Sequence, residues 1–325
     1  MKLTVHHLIF TATAATPVGL AAQSGSAVRG AISTSLWDRF CANKTAPTCV
    51  GCALYDQCPV AALVAPMRSD EEKGSDQRPR PYVVRPPRDG RRRFLPGESF
   101  RFGLGLFGQA EELFPYIVMA VPRLEHNGLG LRLAELGHRR GTITIQSIEA
   151  YDPLRERRQL LYPLPGGSVN EPGLPIDAAA VRAYAAQLPT DQITLTFHTP
   201  VRLVDQQHLV KRITLRPLLQ RLMRRLDDLC IAYGDGPLGI NFRELLTIAE
   251  QVQTTVDQTR WIDVESFSTR QQRSTPLGGL IGSVTFSGPL APLRELIVWG
   301  SLIHVGRNAV KGDGWYTVER MAVFP

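Results

Sequence analysis

Two short stretches hold most of the residue types that can do chemistry. In CANKTAPTCVGCALYDQC (41–58), Cys41, Cys49, Cys52 and Cys58 fall within 18 residues at C-x7-C-x2-C-x5-C spacing. Four thiols this close can hold a structural zinc, although one C-x2-C knuckle stands where a strong zinc signature has two. An iron–sulfur cluster, reduced thiols and disulfides are the other readings of the same spacing. In HVGRNAVKGDGWY (304–316), one histidine, one arginine, one lysine and three glycines share 13 residues. A nucleotide-binding loop needs GxxxxGK[ST] opening a helix, so that glycine N–H groups and the lysine surround phosphates. Here Lys311 precedes Gly312, no Ser or Thr follows it, and an apolar helical run comes before the loop. That order argues against a nucleotide site and leaves a structural turn or a loop lying along a polyanion.

The acid–base groups are sparse. The histidines are His6, His7, His126, His138, His198, His208 and His304, with none between His7 and His126. Net charge is +7 and arginine dominates the excess; its planar fork suits phosphate better than the point charge of lysine. With 325 residues, 43% of them apolar, the chain is long enough for about two globular domains. The N-terminal MKLTVHHLIFTATAATPVGLAAQSG has some features of a secretion signal, but Thr11, Thr13, Thr16 and Pro17 break its apolar middle. Five cysteines also leave one unpaired. A cytoplasmic protein is the expectation, and no run of 18 apolar residues suggests a membrane span.

The elements that must position these groups repeat. LIFTATAATPVGL (8–20) and ITLTFHTPVRLV (193–204) share one design, a strand, a Thr-Pro break and a short apolar continuation. A helix follows each. Val28, Ile32, Leu36 and Phe40 line one, and Leu215, Leu218, Leu219, Leu222, Met223, Leu226 and Leu229 line the other. Residues 100–133 and 283–319 each read as strand, apolar helix, Gly-rich loop and strand. This order fits a split βαβ, ferredoxin-like module occurring twice. In the second strand design, Ile193, Leu195 and Phe197 face one way and Thr194, Thr196 and His198 the other. The polar face is then open to a ligand, a common place for single-stranded RNA. YPLPGGSVNEPGLP (162–175) reads as a linker, and the polar, Pro-rich 68–93 as a surface excursion.

GSAVRG, FGLGLFGQAEELFPYIVMAV, FHTPVRL, SFSTRQQR before GGLIGSVTFSG, and HVGRNAVKGDGWY occur in this order along the chain. Together they resemble the CRISPR-associated endoribonucleases that cut precursor CRISPR RNA, members of the RAMP superfamily. The resemblance covers nearly the whole chain. It implies an α+β fold of two tandem ferredoxin-like (RRM-like) domains, 1–175 with the Cys cluster and Pro-rich insertion, and 190–325 with RNA-binding function. It further implies CRISPR repeat RNA (crRNA) as partner, other Cas effector subunits as further partners, and no membrane. The activity implied is metal-independent: a ribose 2′-OH attacks the adjacent phosphorus, giving a 2′,3′-cyclic phosphate and a 5′-OH. No cofactor is needed for that step, and structural zinc at the Cys cluster is the one metal considered.

Such a reaction needs a base, a proton for the leaving oxygen and cations on the phosphorane. His304 leads the candidates because it opens the Gly-rich loop, with a packed helix-end histidine as the alternative. His6 and His7 are neighbours on a strand, so one of them, with His7 the chosen candidate, should face its open side. His198 ranks below them, and His126, His138 and His208 read as surface residues. Tyr316 either positions the scissile sugar or packs. RNA contacts are expected from Arg29, Arg270, Arg273, Arg307 and Lys311, and from the loop backbone at Gly306, Gly312 and Gly314. Arg221, Arg224 and Arg225 read as a solvated helix face, the run Arg91, Arg92, Arg93 as solvated charge, and Cys230 as core. The missing histidine near the first helix favours a second expectation, a non-catalytic RAMP subunit that only holds RNA.

Overall fold

The N-terminal apolar run, which resembles a secretion signal in composition, becomes the strand Val5–Ala14 (β1) in the middle of a sheet. The computed structural model describes residues 2–67, 78–88, 90–163, 167–268, 273–276 and 278–319, with the backbone alone at 265–268 and 273–276. Two compact units emerge. One holds His6–Tyr151 and Arg158–Leu174; the other holds the chain from Pro175 on, together with Asp152–Arg157 and the first residues through Val5.

In the first unit, α1 (Gly25–Phe40) follows β1 and buries Val28, Ile32 and Leu36 as its stripe predicts. The short helix α2 (Pro59–Val64) comes next, and then strands β2 (Tyr82–Arg85) and β3 (Ser99–Phe107). Helices α3 (Phe114–Met119) and α4 (Val121–Asn127) lead to β4 (Ile143–Asp152) and the added edge β5 (Arg157–Tyr162). The sheet order is β2-β3-β1-β4-β5. Registers place Phe10 opposite Ile148 and Tyr82 opposite Leu106. Phe10 and Phe102 stack at 4.9 Å in its core.

The second unit repeats the plan. After α5 (Ala178–Ala186) come β6 (Gln192–Val201), α6 (Leu215–Tyr233) and α7 (Phe242–Glu250). Then follow β7 (Gln253–Asp257), β8 (Arg260–Ile262), β9 (Gly279–Ser287), α8 (Arg294–Ile303) and β10 (Tyr316–Val318). Its order is β7-β9-β6-β10, with β8 also pairing with β9. Both sheets therefore run second-third-first-fourth within a βαββαβ order, which is the ferredoxin-like arrangement twice. All seven apolar residues of the α6 stripe are buried, and so is Cys230, whose thiol burial pushes up to about 12.

Three segments differ from their expected roles. YVVR, inside the polar stretch 68–93, is the sheet strand β2 and is buried along its length. Flanking prolines and arginines hide a four-residue strand whose last member, Arg85, bonds His7 across the sheet. LGLRL is not the fourth sheet strand of the first unit. It pairs with Arg139–Gly141 as a side ribbon, and Ile143–Asp152 takes the place beside β1. The stretch read as a linker is tied down: Asn170 N–H donates to the Leu161 carbonyl at 3.0 Å, and Gly173 N–H to Gln159 Oε1 at 2.8 Å. Among the described residues no helix is long and apolar enough to cross a membrane.

Candidate nucleic-acid interface

The open face of the second sheet is a field of hydroxyls. Ile193, Leu195 and Phe197 of β6 are buried, whereas Thr194, Thr196 and His198 on the opposite face are half-buried, as strand alternation requires. Thr194 and Thr285 Oγ1 atoms lie 3.0 Å apart, and Thr196 Oγ1 lies 3.1 Å from Ser283 Oγ. His198 Nε2 is 2.8 Å from Thr317 Oγ1, so its ring stands on this face beside β10. Cross-strand pairs of this kind hold the face flat and polar, contributing roughly 0.2–1 kcal/mol each.

The Gly-rich loop joins α8 to β10 and closes against the end of β6. Val305 N–H donates to the Gly314 carbonyl at 3.1 Å, Gly314 N–H to Pro200 at 2.9 Å and Arg307 N–H to Arg202 at 3.1 Å. Lys311 and Gly312 donate to Asn308 and Ala309 within the loop, and Trp315 donates to Thr199 Oγ1 at 2.8 Å. The Gly312 and Gly314 N–H groups, expected to face phosphates, thus donate to carbonyls of the protein. Gly306 and Gly314 are required for a different reason. Both have positive φ, and a Cβ would stand 2.7 Å from the Arg202 carbonyl oxygen at Gly306 and 1.8 Å from that of Val305 at Gly314. What the loop offers outward is side chains: Arg307 is exposed, while Lys311 is half-buried.

Beside it stands a group that sequence reasoning missed. Lys211 Nζ lies 3.5 Å from the centre of the Trp261 ring, and the Arg202 guanidinium carbon lies 5.7 Å from it. Arg202 Nη1 also donates to the Gly278 carbonyl at 3.0 Å, and its own carbonyl receives Arg307. Trp261 Nε1–H donates to Asp263 Oδ1 at 2.8 Å, which sets the plane of the indole. Cations around a half-exposed aromatic ring can take phosphates while the ring stacks a base. Arg202 is the arginine of FHTPVRL, a stretch read for its strand and not for this side chain, and Trp261, between Arg260 and Asp263 in β8 and its exit, belongs to no motif.

The expected catalytic residues lie inside the protein. His304 is fully buried at φ +63, with its ring parallel to Trp315 at 6.1 Å. Tyr316 is also fully buried; its hydroxyl donates to the Ile297 carbonyl at 2.6 Å, burial raises its pKa, and Gly300 leaves room for it. His7 is buried with Nε2 3.0 Å from Arg85 Nη2, and His6 is buried against Glu111. Neither neighbour has an open side, because both faces of β1 are covered. Burial lowers the pKa of His6 to about 4, and burial first, with lesser effects of Tyr151 and Arg88, lowers that of Arg85 to about 9. Of the other histidines, His126, His138 and His208 are exposed. His198 alone among the described histidines joins partial exposure to contact with the loop, its ring edge-on to Trp315 at 5.3 Å.

Arg29 is half-buried on α1. Arg270 lies outside the described residues, and Arg273 is described as backbone in the ribbon Glu265–Ser268 with Arg273–Pro276. The supposed solvated face of α6 is partly structural. Arg221 Nε donates to the Val204 carbonyl at 2.8 Å, and Arg225 Nε to the Ile303 carbonyl at the end of α8 at 2.9 Å. Arg224 is exposed as expected. Cys41, Cys49, Cys52 and Cys58 are half-buried and unbridged, with Cys52 N–H donating to the Cys49 carbonyl at 3.1 Å. Among the described residues no three His, Cys, Asp or Glu side chains converge as a metal-binding group.

Residues 3–172 match the AF_1859_N family model, an N-terminal domain, and residues 195–316 match the model of the CRISPR-associated endoribonuclease Cas6. The second match spans β6, the Trp261 group and the Gly-rich loop. No curated protein matches the chain. Among solved structures, a chain of a partial Cas6-RT-Cas1–Cas2 complex is similar at TM-score 0.61 and 14% identity, over 99% of this chain and 48% of that one. This chain thus spans about half that relative's length. A Cas6 product complex is similar at TM-score 0.56 and 13% identity, over 97% of this chain and 99% of that one. Thermus thermophilus Cas6 is similar at 0.54 and 11%, over 97% and 98%. At these identities the likeness is one of fold.

Proposed function

The chain belongs to the Cas6 family of CRISPR-associated endoribonucleases, and from that premise we propose that it binds the repeat of precursor CRISPR RNA and cuts it without metal. The observation that carries this reading is the group of Arg202, Lys211, Arg307 and Trp261 beside the Gly-rich loop, all within the Cas6-matching residues. Phosphates lie against the cations and an unstacked base lies on the indole.

Cutting proceeds by loss of the 2′-OH proton to a base, formation of the 2′-O–phosphorus bond, and breaking of the bond from phosphorus to the 5′ oxygen, which takes a proton from solvent water. His198 is the base of this proposal, because it is half-exposed beside the loop where His304 and His7 are buried. Arg307 and Lys311 hold the phosphorane charge. His304 acts as a positioning residue through its stacking on Trp315, which His198 also abuts. Tyr316 ties β10 to α8.

His198→Ala is expected to slow cleavage by about 10²–10⁴ while repeat-RNA affinity stays near wild type. His304→Ala is expected to lower the melting temperature and weaken binding and cleavage together. Cleavage by His198→Ala at the wild-type rate overturns the assignment of the base. A repeat with 2′-deoxyribose at the scissile position should bind and remain intact.

A second reading is favoured by the burial of His6, His7 and His304: an RNA-holding subunit that does not cut. It prevails if the wild-type chain binds the repeat and leaves every molecule whole.

A further inference from the structure

The first unit carries another basic surface. Val18–Gly19 pairs with Arg93–Phe94, and Leu129–Leu133 pairs with Arg139–Gly141. The two ribbons meet through bare backbone. A Cβ on Gly130, at φ +90, would stand 2.0 Å from the Gly19 carbonyl oxygen, and one on Gly141 would stand 2.1 Å from that of Pro17. Glycine is the residue that permits this approach, so the arginines on both ribbons share one fixed scaffold.

Arg91, Arg92, Arg93, Arg132 and Arg139 are exposed here, and Arg140 is half-buried. Among the described residues their acidic partners are Glu98, 3.3 Å from Arg91, and Glu135, 2.6 Å from Arg93. Arg92, Arg132, Arg139 and Arg140 make no ion pair among the described residues. Arg132 and Arg140 are partners across the antiparallel ribbon. Like charges directly opposite destabilise a sheet pair; burial first, and then Arg132, lower the pKa of Arg140. Arg132 and Arg139 each donate to a carbonyl of the hairpin, that of His138 at 3.1 Å and that of Leu136 at 3.2 Å. These bonds tie the turn but leave the facing charges of Arg132 and Arg140 without an acidic partner among the described residues. A polyanion relieves that repulsion, because each arginine fork can take a phosphate and release the counterions held there.

We propose that this arginine ribbon is a second, sequence-independent anchor for the phosphate backbone of the RNA. The inference rests on the reading of the chain as a repeat-RNA-binding protein. It adds a surface in the first unit that holds RNA without contributing to the chemistry.

The test uses the full chain and the repeat RNA of the host's own array, with affinity measured across a range of salt. Arg132→Gln together with Arg139→Gln should weaken binding and make the slope of log K against log salt shallower by about 1.4, at ~0.7 per lost phosphate contact. Glu135→Gln, which removes the carboxylate competing for Arg93, should tighten binding. Both sites are exposed, so melting temperature should hold, and either single arginine variant can replace the pair. A slope unchanged in the variants, with wild-type RNA binding intact, overturns the anchor alone. Absence of RNA binding by the wild-type chain overturns the repeat-RNA reading, and the anchor falls with it.

Discussion

Gly314 shows how one missing side chain fixes the loop. A Cβ there would lie 1.8 Å from the Val305 carbonyl oxygen, at φ +68. Gly314→Ala should cost about 2–3 kcal/mol from backbone strain, with more if the loop cannot shift; thermal melting checks it. Melting at the wild-type temperature would mean that the loop is not held as described. The glycines were visible in the sequence, but their task was not. Spacing cannot say whether a freed N–H meets a phosphate or a carbonyl of the same chain. Burial is just as hard to read: His304 and Tyr316 flank a polar loop in sequence, yet both point into the core. His6 supplies a pH test. Buried with a pKa of about 4 against an ordinary 6.5, it is neutral in the folded chain and takes a proton more easily once unfolded. Its contribution is therefore complete above pH 6.5 and is lost as pH falls towards 4, by roughly 3 kcal/mol at ~1.4 kcal/mol per pH unit. Melting curves should show wild type losing stability over that window relative to His6→Gln; parallel curves would contradict the assignment.

Among the elements, those with a clean period were legible. The α6 stripe is buried, and β6 alternates buried with half-buried residues, as their spacing requires. Strand β2 was hidden because four residues between prolines and arginines carry too little pattern, and because Arg85 looks like a surface residue until His7 is seen against it. The fourth strand of the first unit was displaced by a ribbon inserted between α4 and β4, an insertion that local periodicity does not reveal. Arg225 joins two elements, crossing from α6 to the last carbonyl of α8. A cation at a helix C-terminus is favourable, and removing it leaves that carbonyl unanswered. Arg225→Met should lower stability by about 1–3 kcal/mol and weaken RNA binding by disturbing the loop that α8 feeds. Unchanged melting would show that Arg225 is only a surface charge.

For the molecule as a whole, two βαββαβ units account for the repeated plan, and the excess of arginine has two places to act. In the second unit Arg202 and Arg307 frame the loop, and in the first the ribbon arginines face solvent. Charge alone could not separate these from Arg221 and Arg225, which serve the fold. Nor could it find Trp261, because a single tryptophan without a motif acquires meaning only when Lys211 and Arg202 are seen around it. The proposed activity is cleavage of repeat RNA through attack of the RNA's own ribose 2′-hydroxyl. The most direct measurement is incubation of the purified chain with the host's repeat RNA in EDTA, followed by identification of the product ends. One cut is expected, leaving a 2′,3′-cyclic phosphate and a 5′-OH. Products with a 3′-OH and a 5′-phosphate, cleavage that needs added metal, or bound RNA left whole would contradict it.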